Sequence, residues 1–422
     1  MNKPIALILG GTVPHSELIK QLKERGYYTI LIDYLLNPPA KSVADEHLQE
    51  TTLDENKVLA IAEERGAELV ICGCVDQANI TACYVMEKLG HKPPYSYEIA
   101  KNVTNKGYMK SMMLEHHIPT SNFAYVDNLE DANDISLRYP VMVKPADSNS
   151  SNGVKKANSE EEMRLHLKEA LVISRNHRAI VEEFVTGREI SAYCFITNGK
   201  AKLLMTAERL SVMDGEDKII KCYASVAPAQ ISKRAERRAE EVATMIAQTF
   251  GFDNTPLFFQ GLVNGDDISV IEFAPRVGGG ISFQTIRDNT GFDIISATID
   301  SYLGVNVDLS AYHAPCYEMT VNTVYGYDGV YDHMTGYDAL LQNGTIENMF
   351  FHKNSGAIID NSRASSSRIG AFIVKAQNGA DSKRKIAEAF NALDAFDNNG
   401  KSMIRRDLCI PEQADDEVLM GK

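Results

Sequence analysis

The sequence predicts an α/β part followed by an α+β part: an amino-terminal parallel αβα domain, a small mobile lid and a larger domain with a mixed β-sheet. Two patterns indicate this fold class. Short apolar strands alternate with helical segments over the first hundred residues, and strand patterns dominate from residue 189 onwards. The length of 422 residues leaves room for two or three domains of about 150 residues each. With 44% hydrophobic and 24% charged residues, the composition excludes a disordered or fibrous chain.

The charge balance and the apolar runs limit the partners of the chain. The formal net charge of −14 comes from 43 Lys and Arg against 57 Asp and Glu. A surface this acidic repels phosphate backbones, so nucleic acid is not an expected partner. The longest apolar run near the start, residues 5–9, is too short for a signal peptide or a membrane span. We therefore expect a cytoplasmic protein without a membrane partner, whose seven scattered cysteines are reduced thiols.

The first hundred residues predict three strands and three helices. The strands are expected at residues 5–9, 29–32 and 69–72, and the helices at 16–25, 52–65 and 77–89. This alternation is typical of a parallel sheet covered by helices. Thr52 and Glu55 have the spacing of a capping box for the second helix. Gly10-Gly11-Thr12 after the first strand could hold an anion, but it lacks the GxGxxG spacing, so dinucleotide binding is a minor alternative.

The next segment predicts a small α+β unit. Its helices are expected at residues 101–117, at 131–138 and from Ser159 onwards, and its strands at 141–143 and 180–184. Ser159 and Glu162 have capping-box spacing at the start of the third helix. A polar loop, residues 147–153, separates the first strand from that helix, and we expect it to be a flexible lip.

From residue 189 the pattern is rich in strands. A hairpin is expected over residues 190–208, with its turn at Asn198-Gly199. Ser232 begins a long helix that ends near Phe250, and a second strand pair follows over residues 257–273. A further helix begins near Ser282, and the last hundred residues contain short mixed elements, including a strand at 369–374.

Two segments have the chemistry needed to bind a nucleoside triphosphate without a Walker loop. Lys144 ends a strand and precedes the hydroxyl-rich loop with Gly153, which suits a polyphosphate; a solvated loop is the alternative. The strand end at residues 182–185 could bind an adenine edge through its main chain. Glu189 could then accept hydrogen bonds from ribose hydroxyls. An edge strand with solvated acids is the alternative interpretation of this second segment.

A late strand supplies groups for a divalent cation and a phosphate. Glu272 has apolar neighbours on both sides, so it points to the opposite face of the strand and can meet a cation there. Arg276 follows four residues later, and a salt bridge between the two is the main alternative.

Taken in order, these residues resemble the ATP-grasp superfamily from the first strand to about residue 300. Within it the chain is most similar to L-amino-acid ligases and to the large chain of carbamoyl-phosphate synthetase. The matching pieces are Asn105-Lys106 with Ile118-Pro119, the strand ending at Lys144, the loop 150–154, the hinge 182–185 with Glu189, and the late strand with Glu272 and Arg276.

The resemblance implies roles for individual residues. It implies that ATP is bound by Lys106, Lys144, Ser150, Ser151, Gly153, Glu182, Glu183, Phe184, Val185 and Glu189. It implies that Mg²⁺, with Mn²⁺ as an alternative, is held by Glu272 and Gln260, and that Arg276 and Lys144 are catalytic. The substrate would meet Gly278, Gly279, Gly280 and Arg368, for which a tight turn and a polar turn are the alternatives.

Two positions depart from the family pattern. Gln260 stands where an acid is usual, and Ala274 stands where an asparagine is usual. Glutamine still offers an oxygen ligand but no charge, whereas alanine offers no ligand at all. The departures therefore predict metal binding that is weaker, that depends more on Glu272 and on ATP oxygens, or that recruits another acid.

The resemblance also implies a function and a domain division. The function is an ATP- and Mg²⁺-dependent ligase that activates a small carboxylate, plausibly an amino acid, as an acyl phosphate and couples it to an amine. The alternatives are a nucleotide-binding regulatory module without turnover, or an enzyme like biotin carboxylase or a purine-biosynthetic carboxylating enzyme. The expected partners are ATP, the carboxylate and the amine, and a homodimer is left open. We expect a pre-ATP-grasp domain (1–104), a lid (105–188) with its phosphate loop (147–154), a large subdomain (189–312) and a carboxy-terminal mixed α/β cap (313–422).

Overall fold

The computed structural model describes residues 3–147, 153–215 and 219–408. The amino-terminal domain is a parallel sheet with the strand order β3-β2-β1-β4, covered by helices. Its elements are β1 (Ile5–Leu9), α1 (Val13–Glu24), β2 (Tyr28–Ile32), β3 (Glu46–Leu48), α2 (Glu55–Arg65), β4 (Ala67–Ile71) and α3 (Asp76–Lys88). The predicted alternation is confirmed. The predicted capping box is wrong, because Asp54 and not Thr52 caps α2 by accepting a hydrogen bond from the Lys57 amide.

The predicted helix at 101–117 is two helices, α4 (Tyr97–Thr104) and α5 (Lys106–Glu115). The chain breaks at Asn105, whose backbone is extended and whose side chain accepts from the Tyr108 amide at 3.1 Å. Asparagine is a strong N-cap residue, and here the cap outweighs the continuous helical pattern. The break places Lys106 at the first position of a helix. The predicted helix at 131–138 is only a short 3₁₀ turn, Leu129–Asp134.

The lid is an antiparallel sheet with the order β5-β8-β6-β7 and one helix on it. Its elements are β5 (Phe123–Val126), β6 (Val141–Pro145), β7 (Lys155–Ala157), α6 (Glu160–Ile173) and β8 (Ala179–Glu183). Ser159 caps α6 as predicted, accepting from the Glu162 amide at 3.3 Å. Val143, Leu167 and Val181 form part of the separate apolar core of the lid. Residues 148–152, and with them Ser150 and Ser151, lie outside the described residues.

The large subdomain adds strands and helices in the predicted order. These are β9 (Arg188–Thr197), β10 (Lys200–Asp214), β11 (Ile219–Ala227), α7 (Lys233–Phe250), β12 (Thr255–Asn264), β13 (Asp267–Ala274), α8 (Ser282–Thr290) and α9 (Ile294–Tyr302). The hairpin turn at Asn198-Gly199 and the Ser232 cap of α7 are confirmed. Helix α9 lies against α1 of the first domain, where Arg25 and Asp300 form an ion pair at 2.5 Å.

The last described part contains β14 (Glu318–Tyr325), β15 (Gly329–Thr335), α10 (Tyr337–Gln342), β16 (Asn348–Phe351), β17 (Ala357–Ile359), β18 (Arg368–Ala376), α11 (Gly379–Ala392) and β19 (Asp394–Asp397). Three of its strands form a small sheet with the order β17-β15-β19. Its other three strands join the large sheet, whose order is β13-β12-β9-β10-β11-β14-β18-β16.

The large sheet is antiparallel in every pairing rather than mixed as predicted. Hairpin connections produce antiparallel neighbours, and β9–β11 and β12–β13 are connected in this way. The sheet continues past residue 312, the predicted end of the large subdomain. In the described ranges, six cysteines are free thiols, and no helix is long and apolar enough to cross a membrane.

Candidate functional site

Three of the predicted site residues line one cleft, between the amino-terminal domain and the edge of the large sheet. Lys106, Glu272 and Arg276 all face this cleft, whose volume is about 610 Å³ when the open solvent at its mouth is included. Lys106 begins α5 and its Nζ lies 3.6 Å from Glu272 Oε2 on β13. The ammonium and the carboxylate come from segments more than 160 residues apart, so the tertiary fold brings them together.

Lys144 does not line this cleft; its ammonium pairs instead with the buried carboxylate of Glu182. Lys144 forms an ion pair with Glu182 Oε1, and Lys110 approaches Oε2 at 2.7 Å. Ser121 also donates to Oε2, at 3.1 Å. Burial alone would raise the pKa of Glu182, but the charges of Lys144 and Lys110 lower that pKa to about 2. Glu182 is therefore a charged bridge between the lid strand β6 and helix α5.

The depressed pKa of Glu182 predicts a loss of stability in acid. A carboxyl group whose pKa is about 2 in the folded chain and near 4.5 when unfolded stabilises the fold above pH 4.5. That contribution, on the order of 3 kcal/mol, is lost as the pH falls from 4.5 towards 2. Urea unfolding at pH 6, 4 and 3 should show the midpoint falling more steeply for wild type than for Glu182→Gln. Parallel pH profiles for the two proteins would contradict the assignment.

The predicted adenine hinge, residues 182–185, begins with the last two residues of β8. The Glu183 side chain points away from Glu182 and pairs with Arg138, at 3.1 Å, and with Asn122. The Phe184 amide donates to the Pro140 carbonyl. Lys156 lies over the Phe184 ring at 4.1 Å, and Val185 is half-buried in the segment before β9. Because the Glu183 side chain is engaged elsewhere, nucleotide binding at this hinge would use main-chain groups.

A second network crosses the large sheet. Arg209 on β10 forms an ion pair with Glu189 on β9, with Nε and Oε1 3.1 Å apart. Gln260 on β12 lies between Arg209 and Glu272: in its hydrogen-bonding orientation, its nitrogen donates to Glu272 Oε1 at 3.0 Å and its oxygen accepts from Arg209. Burial would lower the pKa of Arg209, but Glu189 raises it, so the guanidinium stays charged. Glu189, predicted for ribose, is thereby linked to Glu272.

Arg276 is held by a residue of the amino-terminal domain. Its guanidinium donates to both carboxylate oxygens of Asp76, at 2.5 and 2.8 Å, and to the Val277 carbonyl. Burial would lower the pKa of Arg276, but Asp76 raises it well above its usual range. A phosphate that approached this arginine would compete with Asp76 for the same two donor positions.

The three predicted glycines form the turn before α8. A side chain at Gly278 would collide with the Tyr193 ring, and Gly280 has a φ of +70°. The Ser282 hydroxyl donates to the carbonyls of Gly278 and Gly279. The collision at Gly278 and the positive φ of Gly280 favour glycine at these two positions, whereas a side chain at Gly279 would meet no neighbouring atom of the described residues. A carboxylate-binding role of Gly278, Gly279 and Gly280 stays a prediction.

Arg368 lies at the far side of the large sheet, in a cluster of basic groups. Its Nε donates to the Tyr325 hydroxyl at 3.4 Å. Burial first, and then the charge of Arg368, lower the pKa of the adjacent His352 to about 3, and the same causes lower the pKa of Lys353. Burial raises the pKa of Tyr325, and the charges of Arg368 and Arg209 oppose this shift. Tyr325 therefore lies within electrostatic reach of both arginines.

The Gly10-Gly11-Thr12 loop is filled by side chains of its own domain. A side chain at Gly10 would meet the ring of the buried His15, and one at Gly11 would collide with Pro38. The Thr12 hydroxyl and His15 Nδ1 lie 2.8 Å apart. This packing disfavours the minor alternative of a dinucleotide on this loop.

Three residues of these networks were missed in the sequence. Asp76 follows β4, and ligand-binding residues often follow the carboxyl ends of parallel strands. Lys110 lies one helical turn after Lys106, so a helical spacing connects the two. Arg209 lies in the middle of a long strand pattern and gave no signal, because its partners come from neighbouring strands.

Comparison with known proteins identifies the domain. Residues 137–284 match the family model described as ATP-grasp domain. In sequence the chain is similar to formate-dependent phosphoribosylglycinamide formyltransferase of Sulfurisphaera tokodaii, at 24% identity over 278 residues, covering 64% of this chain and 69% of that protein. Phosphoribosylglycinamide synthetase from Anaerococcus prevotii superposes with a TM-score of 0.76 and 19% identity, covering 94% and 100%. L-amino acid ligase from Bacillus licheniformis also gives 0.76, at 17% identity, covering 94% and 99%.

The chain thus contains an ATP-grasp domain. The predicted resemblance to ATP-grasp proteins and the predicted fold class are confirmed. The enzymes named above, a formyltransferase, a synthetase and a ligase, agree with the predicted class of an ATP-using ligase.

Proposed function

We propose that the protein is a carboxylate–amine ligase that uses the cleft lined by Lys106, Glu272 and Arg276. The convergence of these three residues on one cleft is the observation that carries the proposal. Transfer of a phosphoryl group requires positioning and neutralisation of charge, which lysine, arginine and a divalent cation supply. The γ-phosphate would pass to the substrate carboxylate, and an amine would then displace phosphate from the acyl phosphate.

Glu272 in the cleft and Gln260, its cross-strand neighbour on β12, fit a Mg²⁺ ion that would be largely coordinated by ATP. Glu272 offers a carboxylate and Gln260 an amide oxygen, and Mg²⁺ prefers such ligands. The Gln260 oxygen faces Arg209 and its nitrogen faces Glu272, so the amide has to rotate to offer its oxygen. Among the described residues no group of three or more His, Cys, Asp or Glu could hold a metal ion. When bound, Mg²⁺ would neutralise charge on the phosphates.

Two observations favour the purine-type alternative over an amino-acid ligase for the acceptor. The sequence relative from Sulfurisphaera tokodaii is named for phosphoribosylglycinamide, an amine that carries a phosphate. The basic cluster of Arg368, Lys353 and His352 offers donors for such an anionic group. We therefore propose an acceptor amine with a phosphate or a second carboxylate, and a small acid such as formate as the activated group.

Trapping of the intermediate tests this function. The protein is incubated with Mg²⁺, ATP and hydroxylamine, and with formate, acetate or single amino acids as the acid. An acyl phosphate reacts with hydroxylamine to give a hydroxamate, so hydroxamate and ADP should appear together with one class of acid. When bicarbonate is the acid, only the release of ADP is measured. ATP binding without ADP release across all acids would overturn the proposal, and Glu272→Gln serves as the inactive control.

Arg368→Ala should raise the KM for phosphoribosylglycinamide about 10- to 100-fold, with the KM for ATP within about twofold of wild type. A hydrogen bond to a charged group contributes about 1.5–3 kcal/mol, which corresponds to that range. Arg368→Lys keeps the charge and should recover part of the loss. Initial rates with each substrate varied in turn measure both constants. A raised KM for ATP alone would place Arg368 outside the acceptor site.

A regulatory module without turnover is the second candidate, and Ala274 and the Asp76–Arg276 ion pair favour it. In such a module the arginine would stay bound to Asp76, and Mg²⁺ would contribute little to nucleotide binding. ATP titrations with and without Mg²⁺ separate the two candidates, because a ligase should bind ATP much more tightly with the ion.

A further inference from the structure

We infer that Lys110 is a positioning residue for ATP: its ammonium holds the Glu182 carboxylate in the place from which Lys144 is directed at the phosphates. The inference rests on the proposed function, and it adds a residue that contacts no expected atom of the nucleotide. Lys110 is a lysine of α5 that is almost completely buried, with 4% of its side chain exposed.

The contacts of Lys110 satisfy its whole ammonium group. Nζ donates to Thr120 Oγ1 at 2.9 Å and to Ser121 Oγ at 2.8 Å. The third acceptor of this ammonium is Glu182 Oε2, at 2.7 Å. An ammonium has three hydrogens, and each has one acceptor. The orientation of this lysine is therefore fixed by its surroundings, and it fixes the carboxylate in turn.

These contacts join the elements that carry the predicted nucleotide groups. Lys106 precedes Lys110 by one helical turn on α5, and Lys144 shares the Glu182 carboxylate. Thr120 donates to the Val270 carbonyl at 2.8 Å, two residues before Glu272 on β13. Lys110 therefore lies where α5, the lid strands and the late strand meet, one helical turn from Lys106, which faces the cleft.

The charge balance explains why a lysine is useful here. Glu182 forms ion pairs with both Lys110 and Lys144. If Lys110 were neutral, the carboxylate would be left to Lys144 alone and would hold that ammonium more tightly, away from a phosphate. With both lysines charged, the cluster keeps one net positive charge for an incoming polyphosphate. Burial and the neighbouring charges of Lys144 and Lys106 lower the pKa of Lys110, while Glu182 opposes this shift.

The test compares ATP affinity and turnover in Lys110→Met, Lys110→Arg and wild type. Lys110→Met should raise the Kd for Mg-ATP at least about tenfold by calorimetry. The kcat for ADP formation with formate should change less than about threefold. Lys110→Arg restores the charge and should recover most of the affinity. A loss in kcat that exceeds the loss in affinity would assign Lys110 to a step after binding and overturn the inference.

Lys221→Met is the matched control for a buried lysine. Lys221 is fully buried, pairs with Asp214 at 2.7 Å and donates to Asn361, and none of these residues belongs to the nucleotide networks. Its replacement should lower thermal stability but leave the Kd for Mg-ATP within twofold. Equal losses of affinity in Lys110→Met and Lys221→Met would reduce the role of Lys110 to general stability.

A double-variant cycle keeps the inference testable when Lys110→Met folds poorly. If Lys110 acts through Glu182, the Lys110→Gln/Glu182→Gln pair should bind ATP no worse than Glu182→Gln alone. Fully additive losses would contradict an action through Glu182. Wild type that binds no ATP would instead overturn the proposed function, so the two failures can be distinguished.

Discussion

Replacing Arg276 by alanine should lower kcat for ADP formation by about 10²–10³-fold, a loss on the order of 3–4 kcal/mol in transition-state stabilisation. The guanidinium is buried at the cleft and offers two parallel donors, a geometry that matches phosphate oxygens. The KM for ATP should change much less, because we place this arginine at the transferring phosphoryl group. Initial rates of ADP release at saturating ATP measure the effect.

Asp76→Asn is the informative companion of this variant. Asp76 holds the Arg276 guanidinium through both carboxylate oxygens. Removing that charge frees the arginine for the transferring phosphoryl group, so kcat for ADP formation should rise several-fold with little change in the KM for ATP, while the domain contact weakens. Arg276→Lys should remain slow, because a point charge cannot make two parallel hydrogen bonds. A kcat for Arg276→Ala close to that of wild type would exclude the arginine from the chemical step.

The sequence predicted local structure well and distant pairing poorly. The parallel domain was predictable because β1 and β4 are short apolar runs separated by helical segments. The turn at Asn198-Gly199 is likewise a local signal. By contrast, β11 pairs with β14 across about ninety residues, and no local pattern encodes that contact. The antiparallel sheet that passes residue 312 follows from this pairing.

The residues of the site also divide into those that the sequence predicts and those that it does not. Lys106, Glu272 and Arg276 were predicted from the order of family motifs, and the fold places them on one cleft. Their ionic partners were not predictable, because Asp76 lies 200 residues from Arg276 in the chain. Such pairs depend on how domains pack, and a single sequence holds no periodic signal for them.

Glu272→Gln should abolish most turnover, with kcat for ADP formation falling by about 10³-fold or more and the Mg²⁺ requirement rising at least tenfold. Glu272 is the one carboxylate among the predicted metal ligands, because Gln260 contributes only an amide. It also lies 3.6 Å from Lys106, so its loss removes charge balance as well as a ligand. Rates measured across a Mg²⁺ titration separate weak metal binding from slow chemistry.

Gln260→Glu tests the same site in the opposite direction. Residues 260 and 272 are direct cross-strand partners, so two carboxylates there repel each other when no cation is present. The variant should melt at a lower temperature than wild type without Mg²⁺ and recover with it, and half-maximal activity should need several-fold less Mg²⁺. Arg209, which already contacts Gln260, limits the repulsion and helps the variant to fold. If Mg²⁺ affected Gln260→Glu and wild type equally, the cation would bind elsewhere. The loss of turnover in Glu272→Gln would then come from the loss of the ion pair between Glu272 and Lys106.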